Sequence, residues 1–341
     1  MPFLLDSGAF SVWNRGEVID LDAYIKFCSE YPIPGIFYVN LDIIPGRPND
    51  VKTKTPSSIE AACQGGWDNY QKMLQTLPFE KVVPVFHQGD GIHWLERYLK
   101  FGTPYIGISP ANDMTTQQKL AWITSLKGHL FDSSGEQTIK THGFAVTSFR
   151  LMKCMKWTSV DSASWIRQAA YGTIYVPMAK GGGWRYDVSP FLLTTSPKSP
   201  TKDEREKHIF TLGPYVKDQV QRYLTEMRMP VGRYEVAEVP ADYKRGKNEL
   251  WWEKGKRDKI IRCLEKGIVT CHQRRFYMNW KFLEKANEVL PVDHIYFAGA
   301  AGSLRDEIEY NLTNRLMSFH EICISKGAAK AFEGQMERRG M

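Results

Sequence analysis

Short runs of apolar residues, each followed by a small or polar residue, recur along the chain. The run at 81–87 is typical, since it is rich in valine, ends at His87 and is followed by a glycine two residues later. Runs of this length, bounded by turn residues, are characteristic of buried strands. The pattern predicts strands at 3–5, 35–42, 81–87, 105–109, 143–147, 158–161, 172–178 and 294–298.

Two of the segments between these strands have helical spacing, with apolar residues recurring three and four positions apart. The first predicted helix carries Ile92, Leu95, Tyr98 and Leu99 on one face. The second predicted helix carries Leu304, Ile308, Leu312 and Leu316, and Ser303 with Asp306 would cap its beginning. Alternating strands and helices predict an α/β fold built on a parallel sheet.

Polar residues follow at least five of the predicted strands, and their arrangement bears on the type of sheet. A closed barrel gathers the carboxyl ends of its strands at one mouth, whereas a doubly wound sheet spreads them along an edge. Eight predicted strands and a repeated polar strand end favour the barrel. We therefore predict a (β/α)8 TIM-like barrel, with the doubly wound sheet as the alternative.

The regular alternation stops after Met178. The glycine-rich loop at 180–184 lacks the spacing of a phosphate-binding loop, so we interpret it as a lid or a connector. A helical pattern follows at 204–229, interrupted at Gly213. This arrangement predicts a basic helical insertion between the seventh and eighth strands. The barrel would comprise 1–240 and 290–325, and the basic, aromatic-rich insertion 241–289.

The composition is that of a globular protein. The 341 residues are 43% hydrophobic and 24% charged, enough to bury a large core. No apolar run is long enough to span a membrane and no signal peptide is evident at the start, so we expect a cytoplasmic protein. The six cysteines have no CxxC spacing, which favours reduced thiols over disulfides or a zinc ribbon. We expect neither a bound metal nor a cofactor.

The positive charge of the chain is concentrated in one segment. Residues 244–285 contain 13 Lys and Arg against 5 Asp and Glu, whereas the net charge of the whole chain is +7. Cations interleaved with aromatic rings suit a nucleic-acid surface, because they can contact phosphates and bases. A solvated helical face above core aromatics is the alternative interpretation. The aromatic residues of this segment are Trp251, Trp252, Phe276, Tyr277, Trp280 and Phe282.

Two aspartates have the sequence context of a catalytic carboxylate pair. Asp6 and Asp161 each follow an apolar run and precede small, hydroxyl-bearing residues. A barrel keeps its chemistry at such strand ends. An aspartate in this position can also cap a helix or stabilise a turn. For His87, a satisfied pocket residue is the favoured interpretation over a metal ligand or a base, because no matching His or Cys spacing accompanies it.

The series of motifs resembles the tRNA-guanine transglycosylase family. The sequence from Asp6 to Phe10, DSGAF, is similar to the family's DSGGFQ signature, and the sequence around Asp161, VDSASW, resembles the motif of its aspartate nucleophile. Asp42 after Leu41, the Gln88-Gly89 turn and the YIGIS strand at 105–109 follow the family's order. The resemblance is strongest to the phage-encoded DpdA-type branch, which implies a host cytoplasmic setting. It covers about residues 3–180.

This resemblance implies a barrel that exchanges guanine in DNA for a 7-deazaguanine such as 7-cyano-7-deazaguanine. Asp161 would be the nucleophile and Asp6 the general acid and base, which suits a double displacement at the anomeric carbon. Asp42 would accept the ring N–H and exocyclic amine of the base. The expected base-binding residues are Ser7, Gly8, Phe10, Asp42, His87, Gln88, Gly89, Gly107, Ile108 and Ser109. The expected nucleic-acid contacts are Arg167, Lys254, Lys256, Arg257, Arg274 and Arg275.

The chain departs from the family pattern in several places. Members that act on tRNA carry a CxCxxC zinc cluster and a distant histidine, whereas this chain offers Cys263, Cys271 and His272 in the corresponding region. A zinc site is therefore not expected. Ala9 stands in place of the second glycine, Ser11 in place of the glutamine, and Ile44 where cysteine is common. These changes bear on base selectivity and leave both carboxylates in place.

Several alternatives remain open from the sequence. The same exchange could act on tRNA, or the barrel could bind nucleic acid without catalysis, although both intact aspartates argue against the latter. A hydrolytic glycosidase would leave the purine preference unexplained. Arg167 could bind a phosphate or lie on the surface with no ligand. The expected partners are DNA and a free 7-deazaguanine base, with no membrane, and a homodimer is left open.

Overall fold

The computed structural model describes residues 3–30, 35–48, 50–146, 148–253 and 255–297. These residues form two compact units. The first unit combines Met1–Ser162 with Leu290–Ala298, and the second contains Ala163–Val289. The last described strand of the chain thus belongs to the first unit, where it joins a sheet whose other strands lie between residues 85 and 162.

Fifteen strands lie in the described residues. The first unit begins with β1 (Phe3–Leu5), β2 (Ile36–Val39), β3 (Val82–Val83), β4 (Val85–His87), β5 (Tyr105–Ser109), β6 (Lys140–Gly143) and β7 (Trp157–Ser162). The second unit contains β8 (Thr173–Val176), β9 (Met178–Lys180), β10 (Gly183–Arg185), β11 (Phe191–Thr194), β12 (Arg233–Glu238), β13 (Glu249–Trp251) and β14 (Lys259–Glu265). Strand β15 (Val292–Phe297) completes the first unit.

Ten α-helices connect or flank these strands in the described residues. Seven belong to the first unit: α1 (Ala9–Asn14), α2 (Leu21–Glu30), α3 (Pro56–Met73), α4 (Ile92–Lys100), α5 (Thr116–Ser125), α6 (Lys127–Leu130) and α7 (Phe149–Met152). The second unit contains α8 (Ser164–Ala170), α9 (Pro214–Glu226) and α10 (His272–Asn287). The beginning of α3 is stabilised by a capping box between Thr55 and Ser58 and by Pro56 in the first turn.

The first unit is built on parallel strands. Three strands pair in the order β1-β2-β3, and five pair in the order β15-β7-β6-β5-β4. Pro84 separates β3 from β4 and has no N–H to donate to a sheet, so one apolar run contributes to both sheets. The predicted α/β fold with a parallel sheet is confirmed. Its closure into an eight-stranded barrel stays a prediction.

The strand predictions succeed where apolar residues are continuous. Strand β5 has the predicted bounds and is buried along most of its length, as expected in a parallel sheet. The strand expected at 143–147 is wrong, because β6 ends at Gly143 and the chain turns through Ala145, whose φ is 52°. The polar residues Thr141 and His142 are both buried in β6 and conceal it from a hydrophobicity pattern.

The helix predictions are confirmed in part. Helix α4 forms where helical spacing placed it, and it buries Leu95 and Tyr98. The segment at 204–229 is helical only in α9, which begins at Pro214 beside the predicted interruption. The helix expected after Ser303 lies outside the described residues.

The second unit is built on antiparallel strands. The predicted strand at 172–178 forms as β8, but its observed partner is the antiparallel strand β11. The segment expected to be a helical insertion contains β13 and β14, which join β12 in an antiparallel sheet, as well as α10. Its purely helical character is therefore wrong. The predicted division into a barrel and an insertion stays a prediction.

Candidate active site

Asp6 lies where β1 ends and the chain turns into α1. Gly8 takes the left-handed conformation at φ 77°, which favours glycine and starts the helix one residue later. Asp6 is exposed to solvent as a residue, yet protein atoms surround its carboxyl closely enough that burial raises its pKa. The negative charge of Asp42 raises this pKa further, and the backbone N–H groups of Gly8 and Ser7 oppose the shift. Asp6 is therefore reachable from solvent, and its pKa lies above the ordinary value for an aspartate.

Asp42 and His87 form a close polar pair. The Nε2 atom of His87, at the end of β4, lies 2.7 Å from Oδ2 of Asp42, which follows β2. Burial lowers the pKa of His87, but the hydrogen bond and charge of Asp42, together with Asp90, outweigh burial and raise it overall. The backbone N–H of His87 donates to the carboxylate of Asp90 at 2.8 Å, which fixes the start of the following turn. The pair therefore becomes an ion pair whenever His87 is protonated.

Asp161 lies at the end of β7, and its side chain is 25% exposed. Its Oδ1 atom accepts a hydrogen bond from the backbone N–H of Ala145 and lies 4.0 Å from Nε2 of His142. Burial raises the pKa of Asp161 to about 6; the N–H of Ala145 opposes this shift, and the charge of Asp6 adds to it. Asp161 is consequently ionised for the most part at neutral pH, as a nucleophile requires.

Asp6 interacts electrostatically with both Asp42 and Asp161. Asp42 raises the pKa of Asp6, and Asp6 raises the pKa of Asp161. Asp6 and Asp42 follow β1 and β2, and Asp161 lies near the end of β7, so each is at the carboxyl end of a parallel strand, where parallel α/β proteins bind their ligands. Mutual repulsion of this kind favours a state in which one member of the set keeps a proton. The arrangement places an acid-base group and a second carboxyl close enough for the charge of one to raise the pKa of the other.

The residues that follow Asp6 divide into a turn and an exposed ring. Ser7 is buried, and its Oγ accepts a hydrogen bond from the backbone N–H of Ala9 at 3.4 Å. Phe10 is 52% exposed, and its ring stacks on Trp13 with the ring centroids 6.0 Å apart. Ser7 therefore stabilises the turn, whereas Phe10 presents an aromatic face that another flat ring can contact.

Gln88 and Gly89 form the turn after β4. The backbone N–H of Gln88 donates to the carbonyl of Ser109 at 2.9 Å, and its side-chain oxygen accepts from the N–H of Ala111 at 3.1 Å. Gly89 has a φ of 117°, a conformation open to glycine. Gln88 thus holds the loop after β5 in place with its side-chain oxygen, which leaves its amide nitrogen as the group to offer a ligand.

Gly107 and Ile108 are explained by packing. A Cβ atom at Gly107 would lie 2.3 Å from the ring of Phe144, so a larger residue would displace that ring. The N–H of Gly107 donates to the carbonyl of Pro84 at 2.8 Å, and the carbonyl of Ile108 accepts from the N–H of Phe144 at 3.0 Å. The side chain of Ile108 is fully buried. Base contact at these two residues stays a prediction, and it would have to use their remaining backbone groups.

The expected nucleic-acid contacts that the structure describes belong to the second unit. Arg167, Lys256 and Arg257 are exposed, and Lys256 pairs with Glu253 at 2.7 Å. Arg274 is partly buried, with its Nη1 atom 3.8 Å from the sulfur of Met229. Lys254 lies outside the described residues.

The structure corrects the expectation for Arg275. Its side chain is 6% exposed, and its Nε and Nη1 atoms each donate at 2.7 Å, to the carbonyls of Ala169 and Ile268 respectively. Burial lowers the pKa of Arg275 to about 10. A guanidinium enclosed in this way stabilises the packing of α10 and is not available to a phosphate.

Four residues around Asp161 were not singled out by their sequence. His142, Ser159 and Tyr105 are buried polar residues on β6, β7 and β5, and Ala145 follows β6 in a left-handed conformation. Isolated histidine, serine and tyrosine residues in apolar strands carry no spacing signal. The only signal in the sequence is the pair of polar residues Thr141 and His142, which lies between two predicted strands.

Two further features concern metals and membranes. Within the described ranges, no three His, Cys, Asp or Glu side chains come close enough together to hold a metal ion. None of the helices in the described part of the chain combines the length and the apolar character needed to cross a membrane.

Comparison of the chain with the known protein families, the curated proteins and the solved structures finds no match.

Proposed function

We propose that this protein is a pentosyltransferase that exchanges guanine in DNA for a 7-deazaguanine base through a covalent Asp161–nucleotide intermediate. The observation that carries the proposal is the electrostatically linked set of Asp6, Asp42 and Asp161 at one edge of the parallel strands. These are the three residues to which the motif series assigns acid, base recognition and nucleophile.

The first displacement would break the glycosidic bond. A carboxylate oxygen of Asp161 attacks the anomeric carbon, and the electrons of the C–N bond pass to the departing guanine. Asp6 gives its proton to that base, so guanine leaves as a neutral molecule. The raised pKa of Asp6 favours the protonated form that this step consumes. The products are neutral guanine, an ionised Asp6 and a nucleotide ester of Asp161.

The second displacement would reverse the order of events. Asp6, now ionised, removes the proton from the ring nitrogen of the incoming 7-deazaguanine, which attacks the same anomeric carbon. The C–O bond to Asp161 breaks, and its electrons return to the carboxylate. Two inversions give net retention of configuration, as in retaining glycosidases. Asp6 ends protonated and Asp161 ends ionised, so the site is ready for another cycle.

Base recognition would fall to Asp42. Guanine and its 7-deaza analogues present a ring N–H beside an exocyclic amine, and an ionised carboxylate has lone pairs for both. His87 already uses one lone pair of Oδ2 at 2.7 Å, which fixes the orientation of the carboxylate and leaves its other sites. The exposed ring of Phe10 would stack on the base once it has left the helix.

The polymer assignment rests on different observations. The concentrated positive charge at 244–285 favours a nucleic acid, because phosphate contacts release counterions. DNA is favoured over tRNA because the chain lacks the cysteine cluster that the tRNA enzymes carry. Both polymers would use the same carboxylate chemistry.

Incorporation of labelled guanine into nucleic acid tests the proposed function. The protein is incubated with labelled guanine and, separately, duplex DNA, single-stranded DNA or a tRNA hairpin, and the polymer is counted. We expect label in DNA, none with Asp161→Asn, and normal incorporation with Asp68→Asn, a matched change at an exposed helical aspartate. Label in the tRNA hairpin alone would overturn the polymer assignment, and label in none of the three would overturn the exchange activity.

A further inference from the structure

A chain of buried polar groups leads to Asp161 across three neighbouring strands. The hydroxyl of Tyr105 on β5 lies 2.5 Å from Oγ of Ser159 on β7, and this Oγ lies 2.5 Å from Nδ1 of His142 on β6. The Nε2 atom on the other side of the imidazole faces Oδ1 of Asp161 at 4.0 Å. Tyr105, His142 and Ser159 are 2%, 0% and 0% exposed, so these three hydrogen-bonded side chains are shielded from solvent.

The hydrogen bonds decide which nitrogen of His142 carries the proton. If Tyr105 donates to Ser159 and Ser159 donates to Nδ1, both hydroxyl protons have acceptors and the imidazole proton lies on Nε2. A proton on Nδ1 would be donated to Oγ of Ser159, which would leave the hydroxyl proton of either Tyr105 or Ser159 without an acceptor among the described residues. It would also point the lone pair of Nε2 at the Asp161 carboxylate. Both considerations favour the Nε2–H form of His142.

His142 acts here as a neutral dipole. Burial lowers its pKa to about 3, so the imidazole carries no charge at neutral pH. Its Nε2 atom has no hydrogen-bond partner within the described residues, although it is buried. If this nitrogen carries the proton, moving closer to the Asp161 carboxylate would break no existing hydrogen bond of Nε2. Catalytic hydrogen bonds commonly shorten when substrate binds.

Two donors therefore converge on one oxygen of Asp161. The N–H of Ala145 donates to Oδ1, and Nε2 of His142 faces the same atom. Ala145 holds this position at a φ of 52°, a left-handed conformation that is strained for a residue with a Cβ. No hydrogen bond from another described residue reaches Oδ2. The two oxygens of the carboxylate are thus distinguished before any substrate binds.

We infer that His142, held by Ser159 and Tyr105, is a positioning residue that acts with the Ala145 N–H to bind Oδ1 and leave Oδ2 as the attacking atom. This inference rests on the proposed role of Asp161 as nucleophile. In the ester, Oδ2 would be bonded to the anomeric carbon and Oδ1 would be the carbonyl oxygen. When the ester breaks, both N–H groups would stabilise the charge that returns to the carboxylate.

The position of the proton can be measured without any activity. Long-range ¹H–¹⁵N correlation spectra of histidine-labelled protein distinguish the two neutral tautomers. His142 is assigned by the loss of its signals in His142→Gln, or by the contact of its ring with Phe144, whose centroid lies 4.4 Å away. We expect the Nε2–H form at neutral pH, with a resonance that shifts in Asp161→Asn. The Nδ1–H form, or an Nε2 signal indifferent to Asp161→Asn, would overturn the inference.

Two substitutions of His142 separate positioning from packing. Glutamine places an amide near the position of Nε2, whereas asparagine places one near Nδ1 and leaves Oδ1 of Asp161 without that donor. We expect kcat to fall about 10–100-fold in His142→Asn and less than about 5-fold in His142→Gln, with KM for DNA little changed in both. Equal losses in the two folded variants would overturn the inference. If wild-type protein exchanges no base, the proposed function fails, and the tautomer measurement still decides the hydrogen-bond chain.

Discussion

His87 Nε2 lies 2.7 Å from Oδ2 of Asp42, although the two residues are 45 positions apart in the chain. Parallel strands bring them together, because Asp42 follows β2 and His87 ends β4. The contact orients the carboxylate that the proposed function assigns to base recognition. It also raises the pKa of His87.

Asp42→Asn should impair base selection more than the chemical step. An amide offers one acceptor and one donor where the carboxylate offers two acceptors, so one N–H of the base would meet the wrong partner. We expect KM for guanine to rise about 10–100-fold, with a smaller change in kcat. Steady-state incorporation of labelled guanine measures both constants, and Asp68→Asn is the control. An unchanged KM would remove Asp42 from base recognition.

The same pair predicts a pH dependence of stability. The pKa of His87 is raised in the folded protein, so its protonation favours the folded state. The stabilisation is complete below the unfolded pKa of about 6.5 and is lost as pH rises through the higher folded value. Denaturant unfolding from pH 6 upward should show this loss in wild type. His87→Gln should not show it, and an identical loss in both proteins would assign the effect to other groups.

Asp161→Asn should stabilise the protein while abolishing its activity. Burial raises the pKa of Asp161 to about 6, so its ionisation costs folding free energy once pH exceeds that value. Because asparagine carries no charge and can still accept the Ala145 N–H, we expect a gain of about 1–3 kcal/mol near pH 8. The gain should vanish near pH 4, where the folded aspartate is protonated. Urea unfolding at both pH values measures it, and equal stability at pH 8 would contradict the raised pKa.

The basic residues of the second unit should separate into two classes. Neutralising exposed Lys256 and Arg257 together with Arg274 should weaken DNA binding and reduce its salt dependence, with little loss of stability. Arg275→Met should instead lower the free energy of unfolding by about 2–4 kcal/mol, since the carbonyls of Ala169 and Ile268 lose their buried donors. Fluorescence anisotropy at several salt concentrations and urea unfolding measure the two effects. A salt slope unchanged in the triple variant would place the DNA elsewhere.

The sequence predicted the residues that end apolar strands better than those inside them. Asp6, Asp42, His87 and Asp161 stand out because each follows an apolar run, and parallel pairing places such residues at one edge. Their partners were not predictable in this way. The pairing of Asp42 with His87 depends on the register of strands far apart in the chain.

Buried polar residues account for most of what the sequence did not reveal. His142 and Ser159 lie side by side in the register of β6 and β7, yet neither belongs to a recognisable spacing. The sequence places Arg275 on the surface because a charged residue in a basic segment normally lies there, whereas in the structure backbone carbonyls accept from its buried donors. The strands β13 and β14 were missed because charged residues such as Arg262 and Glu249, paired at 2.9 Å across the sheet, interrupt the apolar pattern.

The nucleotide ester on Asp161 is the most direct test of the proposed mechanism. The protein is mixed with DNA, denatured in acid during turnover and digested, and the peptides are examined by mass spectrometry. We expect a nucleotide on the peptide that contains Asp161, and we expect guanine added before denaturation to remove it. The yield of this adduct should fall with Asp6→Asn, and no adduct should form with Asp161→Asn. A nucleotide on the peptide that contains Asp6, or base exchange with no covalent adduct at all, would contradict the assignment of Asp161 as the nucleophile.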